Sequence, residues 1–523
     1  MTNKSENTQR LAKNTALLYV RSLFNLILSL YSSRLILQAL GVDDYGLYNS
    51  IAGFASMFWL VTGSISSAIS RYLTFELGKG DKKRVGEIFS LSLNIMLGFA
   101  LIVLLLAETG GVWFVANKMT IPPGREPAAL LAFHTAVLTV MGGMIIAPFN
   151  SSVIAHEKMG LYAFTGILEA VLKLLISLLL VYGTIGADTL KLYSVLWMAT
   201  IFIIQGIVII YCRKHFEECR FRLFFEKGLF KEMFKYAGWS FIGSTVGTLN
   251  NHGVNVAINI FLGPAVNAAR GLTNTVSNAV SIFVNNFTTA LVPQITKAYA
   301  SGEKDYMKSL AYRGTKFSFY IMFLISLPLV LETEFVLNVW LTEVPRHTVA
   351  FIRLAQISSL CTLLYIIFTN VQNASGRNKT YQLCLSAMTF LSFVISIILL
   401  KMGLPPEAIY IQWIIIVLIK CIIFMSILKT TMPFTLREIF KNVYLPIALV
   451  VVTASAIPAA LHFSLSYGWI RFLTVGFASV ICCGASVLWI GCKKNERRFL
   501  IDTLLNKLRI KKNIPDETTA DIH

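Results

Sequence analysis

The stretch NAARGLTNTVSN, residues 267–278, sets Asn267, Asn274, Asn278 and Arg270 within an otherwise apolar run. Just upstream, NNHGVNVAIN adds Asn250, Asn251, Asn255 and Asn259. Amides both donate and accept hydrogen bonds, and a guanidinium offers a planar fork of donors matched to phosphate or carboxylate oxygens. Such residues recognise hydroxyl-rich or anionic molecules and make or break no covalent bond. At about 100° per residue, Asn267, Arg270, Asn274, Asn278, Ser281 and Asn285 share an arc of roughly 60–80°, opposite Leu272, Val276, Phe283 and Phe287. Ser244, Thr248, Asn251, Asn255 and Asn259 share one face of the preceding segment. Asn14, Arg21, Asn25 and Ser32 do so near the N-terminus.

In membranes a single asparagine is equally well read as interhelical glue, worth about 1 kcal/mol. Five or six in register make a polar surface instead, and an arginine among them needs water or a partner. The other basic residues inside apolar segments are Arg34, Lys173, Arg353, Lys420 and Arg471. Arg353 and Arg471 sit near helix ends, where interface anchors occur. Arg21, Arg34 and Arg270 lie near enough to helix ends that snorkelling and cavity lining both remain open. Lys173 and Lys420 lie deeper. Lys173 follows Glu169 at i,i+4, a spacing that permits an ion pair; a self-neutralising structural pair and a proton or cation site are both open. Excess positive charge suits an anionic substrate, whereas an exporter of organic cations would carry acids and aromatics. The sequence has no GxxxxGK[ST], no HExxH and only scattered histidines, so neither an ATP-driven motor, a metal site nor an enzyme is expected. His252 reads as a hydrogen-bonded core residue.

These faces must be held by membrane-spanning helices. Of the 523 residues 55% are hydrophobic and 14% charged, against about 25% charged in soluble domains. Runs of about 20 apolar residues recur along the chain. The net charge of +19 gathers in alternate loops: Lys79–Arg84, Arg213–Lys235, Lys297–Lys316 and Lys493–Lys512. That alternation follows the positive-inside rule and argues against a nucleic-acid partner. The eight cysteines lie in expected helices or on the basic side, so no disulfide framework is implied.

The expected fold is an all-α polytopic membrane protein of about 14 transmembrane helices. They fall near 15–39, 46–70, 88–108, 128–153, 160–183, 190–211, 237–261, 267–292, 315–331, 350–373, 380–401, 407–428, 443–461 and 469–491. An even number puts both termini in the cytoplasm, and the longest outer loop would join Glu108 to Ala128. LG at 40–41 precedes GDK at 80–82 by the same interval that separates LG at 262–263 from GEK at 302–304. A gap-free offset of 222 residues relates the two pairs, and also Lys13 to Lys235. Six helices separate the copies, so the repeat is parallel. The domains expected are 1–235 (helices 1–6), 236–428 (helices 7–12), 429–510 (two further helices and a basic cytoplasmic segment) and a disordered tail, 511–523.

GVNVAINIFLGPAVNAARGL, followed by FTTALVPQITKAYASGEKDYM, and LGVDDYGLYN with SRYLTFELGKGD, resemble the Wzx-type polysaccharide and lipopolysaccharide flippases of the multidrug/oligosaccharidyl-lipid/polysaccharide exporter superfamily. The resemblance implies two six-helix bundles around a central cavity, two extra C-terminal helices and alternating access. Its cargo would be an undecaprenyl-diphosphate-linked oligosaccharide, an O-antigen, capsule or exopolysaccharide unit, moved to the periplasmic leaflet of the bacterial inner membrane. Related lipid II flippases use cavity arginines on helices 1 and 8, and Arg21, Arg34 and Arg270 are the positions here that could correspond. The substrate-binding set expected is Arg21, Asn25, Arg34, Asn251, Asn255, Asn259, Asn267, Arg270, Asn274, Asn278 and Lys420. Glu169 and Lys173 are the ion-coupling pair, with proton or sodium left open and no other cofactor. Expected partners are the lipid-linked cargo, membrane lipids and other glycan-assembly membrane proteins. The alternatives are a cation-coupled small-molecule exporter of the same fold and, less favoured, a polysaccharide polymerase or ligase, which would carry large reactive outer loops.

Overall fold

The structure, a computed structural model, describes residues 2–79, 81–156, 158–183, 186, 188–220, 224–231, 233, 245–375, 379–493 and 496–497. The side chains of residues 2–26 lie outside that description, and so do Lys235, Ser244 and the tail from 498. Regular structure is helical: α1 (Thr2–Ser56), α2 (Leu60–Lys79), α3 (Lys82–Leu106), α4 (Val112–Lys118), α5 (Glu126–Ala155), α6 (Met159–Tyr182) and α7 (Thr189–His215). There follow α8 (Val254–Leu262), α9 (Pro264–Ala300), α10 (Lys304–Leu331), α11 (Thr333–Trp340), α12 (Thr348–Ala374), α13 (Lys379–Lys401) and α14 (Glu407–Thr431). The chain ends with α15 (Leu436–Ile439), α16 (Leu445–Ser464) and α17 (Trp469–Ser486). Among the described residues ten helices are long and apolar enough to cross a membrane. This is a polytopic all-α membrane protein.

The breaks in this series have local causes. Helix α1 runs through residue 56, bent only at Gly41, whose φ of 74° and ψ of 173° fall in a region open almost solely to glycine. Gly263, between α8 and α9, repeats that conformation at φ 84° and ψ 176°. Asp81 closes the first turn of α3 by accepting from the Arg84 amide, the usual work of an N-cap carboxylate. The 222-residue offset of the two LG pairs recurs in the elements themselves. It separates Gly41 from Gly263, the starts of α3 and α10, the ends of α4 and α11, and the starts of α5 and α12.

One expectation is corrected. Residues 108–118 are not loop: a π turn at Ala107–Gly111 carries α3 directly into α4. Gly111 permits this by lying against Phe133, which a Cβ would strike at 2.6 Å. The stretch looked like loop because Glu108, Thr109 and two glycines interrupt its apolar pattern.

The chain forms two compact units. One comprises residues 1–282, 336–362 and 377–427; the other comprises 283–335, 363–376 and 428–523. In the first, α5 packs on α2, α3 and α7, and α1 packs on α6. Its core includes Ile69, Leu73, Phe89, Met96, Met144 and Phe149. In the second, α10 packs on α16 and α17. There Glu332, 1% exposed, accepts from Arg471 Nε at 3.2 Å and Nη2 at 3.1 Å. His462 Nδ1 lies 2.7 Å from the other carboxylate oxygen. Arg471, near the start of α17, is the charge partner of a buried acid.

Candidate functional site

In the first unit the polar faces of α1, α8 and α9 meet near the two positive-φ glycines. Asn267 donates to Ser50 Oγ at 2.6 Å, and Asn255 donates to the Asn49 carbonyl at 3.0 Å. Asn259 accepts from the Thr120 amide at 3.0 Å and donates to its carbonyl at 3.3 Å. Backbones approach closely where side chains are small, the usual geometry of tight membrane helix pairs. A Cβ on Gly46 would lie 1.8 Å from the Pro264 carbonyl oxygen, and one on Gly271 would lie 3.0 Å from the Asn49 amide. Gly46 faces Ala268, and Asn49 faces Gly271; each pair is related by the 222-residue offset. Equivalent residues of the two copies therefore touch each other here, as they must beside an axis relating them. Arg34 joins the same seam by donating to the Val339 carbonyl at 3.4 Å, and Trp340 donates to the Leu30 carbonyl at 2.8 Å.

Arg270 is set differently. It is 1% exposed. One guanidinium nitrogen, Nη2, donates to the Asn251 carbonyl at 2.9 Å, and the Trp413 ring centroid lies 4.9 Å from its central carbon. Phe351 and Tyr410 complete the surround. Among the described residues no acid lies within ion-pair distance; the Tyr410 hydroxyl stands beside the guanidinium, but Nε and Nη1 make no well-formed hydrogen bond. A cation over an indole gains about 0.5–2 kcal/mol. Unpaired buried donors cost about 1–3 kcal/mol each, so this arrangement does not serve stability alone.

Along α9 the polar face then emerges. Asn274, Asn278 and Asn285 are exposed, whereas Leu272, Val276, Val280 and Val284 are buried. A helix facing lipid shows the reverse order, apolar outward. Asn251 is exposed and Asn255 half-buried. The stripe seen in the sequence is thus divided: Asn259, Asn267 and Arg270 lie inside the seam, while Asn274 and Asn278 lie open.

Lys420 and Lys173 make contacts outside this cluster. Lys420, half-buried, donates to Thr389 Oγ1 at 2.7 Å, joining α13 and α14. Lys173 lies 5.5 Å from the Trp197 ring centroid. The i,i+4 ion pair that its spacing permits with Glu169 does not close within 4 Å among the described residues. Arg21 and Asn25 are on α1, but their side chains lie outside the described set.

Sequence reasoning missed the charge clamp formed when Arg125 binds Asp44 and, at 2.7 Å, Asp188. Hydrogen bonding to Asp44 above all raises the Arg125 pKa, with the charges of both acids adding. Its counterpart at the 222-residue offset, His347, lies 2.5 Å from Glu407. No motif marks either pair, because each joins residues far apart in the chain.

A parallel internal repeat and, among the described residues, ten strongly apolar helices with a polar seam between the copies define the fold. Residues 11–299, more than half of the chain, match the family model described as polysaccharide biosynthesis protein, and the chain belongs to that family. No curated protein matches it by sequence. Among solved structures, "Lipid II flippase MurJ, inward closed conformation" is similar at a TM-score of 0.67 and 13% identity, over 90% of this chain and 98% of that one. An inward-facing multidrug resistance MATE family transporter of the MOP superfamily is similar at a TM-score of 0.61 and 14% identity, covering 79% and 99%. A MOP superfamily transporter from Pyrococcus furiosus, whose title reports reverse polarity of its binding pocket, gives 0.52 and 10%, covering 76% and 93%. At these identities the likeness is one of fold.

Proposed function

We propose that the chain is a flippase that moves an undecaprenyl-diphosphate-linked oligosaccharide from the cytoplasmic to the periplasmic leaflet of the bacterial inner membrane. O-antigen, capsule and exopolysaccharide units are the class of cargo. The observation that carries this reading is Arg270, buried without an acid and with two nitrogens lacking a well-formed hydrogen bond, on a helix whose open face is lined by Asn274 and Asn278. A guanidinium suits the diphosphate and amides suit the sugar. Family membership in polysaccharide biosynthesis and a fold shared with a lipid II flippase support the same cargo class.

In this reading the basic loops and both termini are cytoplasmic, and residues 1–235 and 236–428 form two bundles that rock about the seam. Asn251, Asn255, Asn259, Asn267 and Arg34 hold the periplasmic side shut and reach the cargo when it opens. Arg21, Asn25 and Lys420 bind along the path, and Glu169 with Lys173 senses the coupling ion. The test replaces Arg21 and Arg270 by Ala, confirms expression, and measures surface glycan against accumulated lipid-linked precursor. Loss of surface glycan with precursor build-up is expected, and normal export from the double variant would refute the diphosphate role. Arg270→Lys should retain part of the function if charge suffices, and little if the bidentate fork matters.

A further inference from the structure

A second polar face lies on α2. Thr62, Ser66 and Ser70 recur every fourth residue and so share one side of the helix. With Trp59 just before them and Asn150 and Ser151 of α5 opposite, they line a cavity of about 430 Å³. That volume lies within the range of small-ligand pockets, about 300–1,000 Å³. Trp59, 42% exposed, lies over Gly143, where a Cβ would come within 2.3 Å of the indole. The glycine therefore sets the ring's place in the wall.

Thr62 supplies the telling atom. Thr135, Thr139, Thr273 and Thr275 all donate to carbonyls three or four residues back along their helices. Thr62 does not: it is 2% exposed, and its hydroxyl has no partner among the described residues. A buried hydroxyl left unpaired costs about 1–3 kcal/mol, which a ligand bearing hydroxyl or amide groups would relieve. An exposed indole in the same wall as hydroxyl and amide side chains brings apolar surface for C–H groups together with polar atoms for O–H groups. Both are features of a sugar ring.

We propose that this cavity is a carbohydrate subsite, taking a sugar of the lipid-linked cargo. The proposal rests on the flippase reading above. It places the site in the half of the first bundle nearer the basic Lys79–Lys83 loop, the leaflet in which the cargo would be loaded. Arg270 would select the diphosphate and the α2 face the sugar.

The experiment uses the full chain in nanodiscs with two probes, undecaprenyl diphosphate and undecaprenyl-diphospho-N-acetylglucosamine, and compares their affinities. Wild type is expected to prefer the sugar-bearing lipid by about fivefold, the worth of one or two added hydrogen bonds. Trp59→Leu and Thr62→Val should each abolish that preference while binding the bare lipid as before, and Trp59→Phe should keep most of it. A preference unchanged in both variants overturns the subsite and leaves the flippase reading intact. So does a wild type without preference. Equal weakening of both probes shows instead that the groove holds the polyprenyl chain, and also overturns it. Failure of wild type to bind either lipid removes the flippase reading itself.

Discussion

Arg270 poses the clearest residue-scale question, because stability and function make opposite demands on it. A guanidinium buried against Trp413, with one carbonyl acceptor and no acid, is costly to hold: even buried ion pairs, whose charges are matched, often gain about 1–4 kcal/mol on apolar replacement. Arg270→Leu is therefore expected to leave the melting temperature unchanged or raised while abolishing precursor export. A structural arginine would lose both. Glu332 makes the contrasting case, since its charge is matched by Arg471 and its second oxygen by His462. Glu332→Leu strands Arg471 and should cost about 3–5 kcal/mol. Adding Arg471→Leu should recover much of that loss, measured as the coupling in a double-mutant thermal-denaturation cycle. The sequence showed Arg270 as part of a stripe but could not show that it lacks an acid. That fact depends on what the neighbouring helices bring within 4 Å.

At the scale of the element, the two glycines carry the repeat. Gly41 and Gly263 hold φ of 74° and 84° with extended ψ, a conformation that other residues enter at about 1–3 kcal/mol. Gly41→Ala and Gly263→Ala should each lower thermal stability by that amount, whereas Gly98→Ala, helical and with open space at its Cβ, should not. The LG and Gly-acid-Lys signals exposed this correspondence without any alignment, because helix-joining turns tolerate few residue types. The run from Ala107 to Lys118 was hidden for the opposite reason. A π turn has no residue signature, and polar Glu108 and Thr109 look the same in a loop. The division of α9 into a bonded end and an open stretch was equally hidden. Periodicity assigns residues to a face but does not say what the face meets along its length.

For the whole molecule, the repeat and the compact units describe different properties. The 222-residue offset groups the chain by origin, into halves that we propose act as bundles. Compactness groups it by present contacts and cuts within α9, α11, α12 and α14. On the flippase reading, halves that meet through a seam have reason to show both, since the contacts that close one side are those that must part. The seam of Asn267 on Ser50 and Asn255 on Asn49 is the device this account requires to open. The most direct measurement uses liposomes containing undecaprenyl-diphosphate-linked oligosaccharide and the Ser50→Cys/Asn267→Cys double variant. A membrane-impermeant enzyme added outside then reads how fast glycan reaches the outer leaflet. The reduced protein is expected to move the lipid well above the rate of protein-free liposomes, to stop when the cysteines are oxidised, and to resume on reduction. Movement no faster than in protein-free liposomes with either the reduced variant or wild type, or movement indifferent to a verified crosslink, would contradict it.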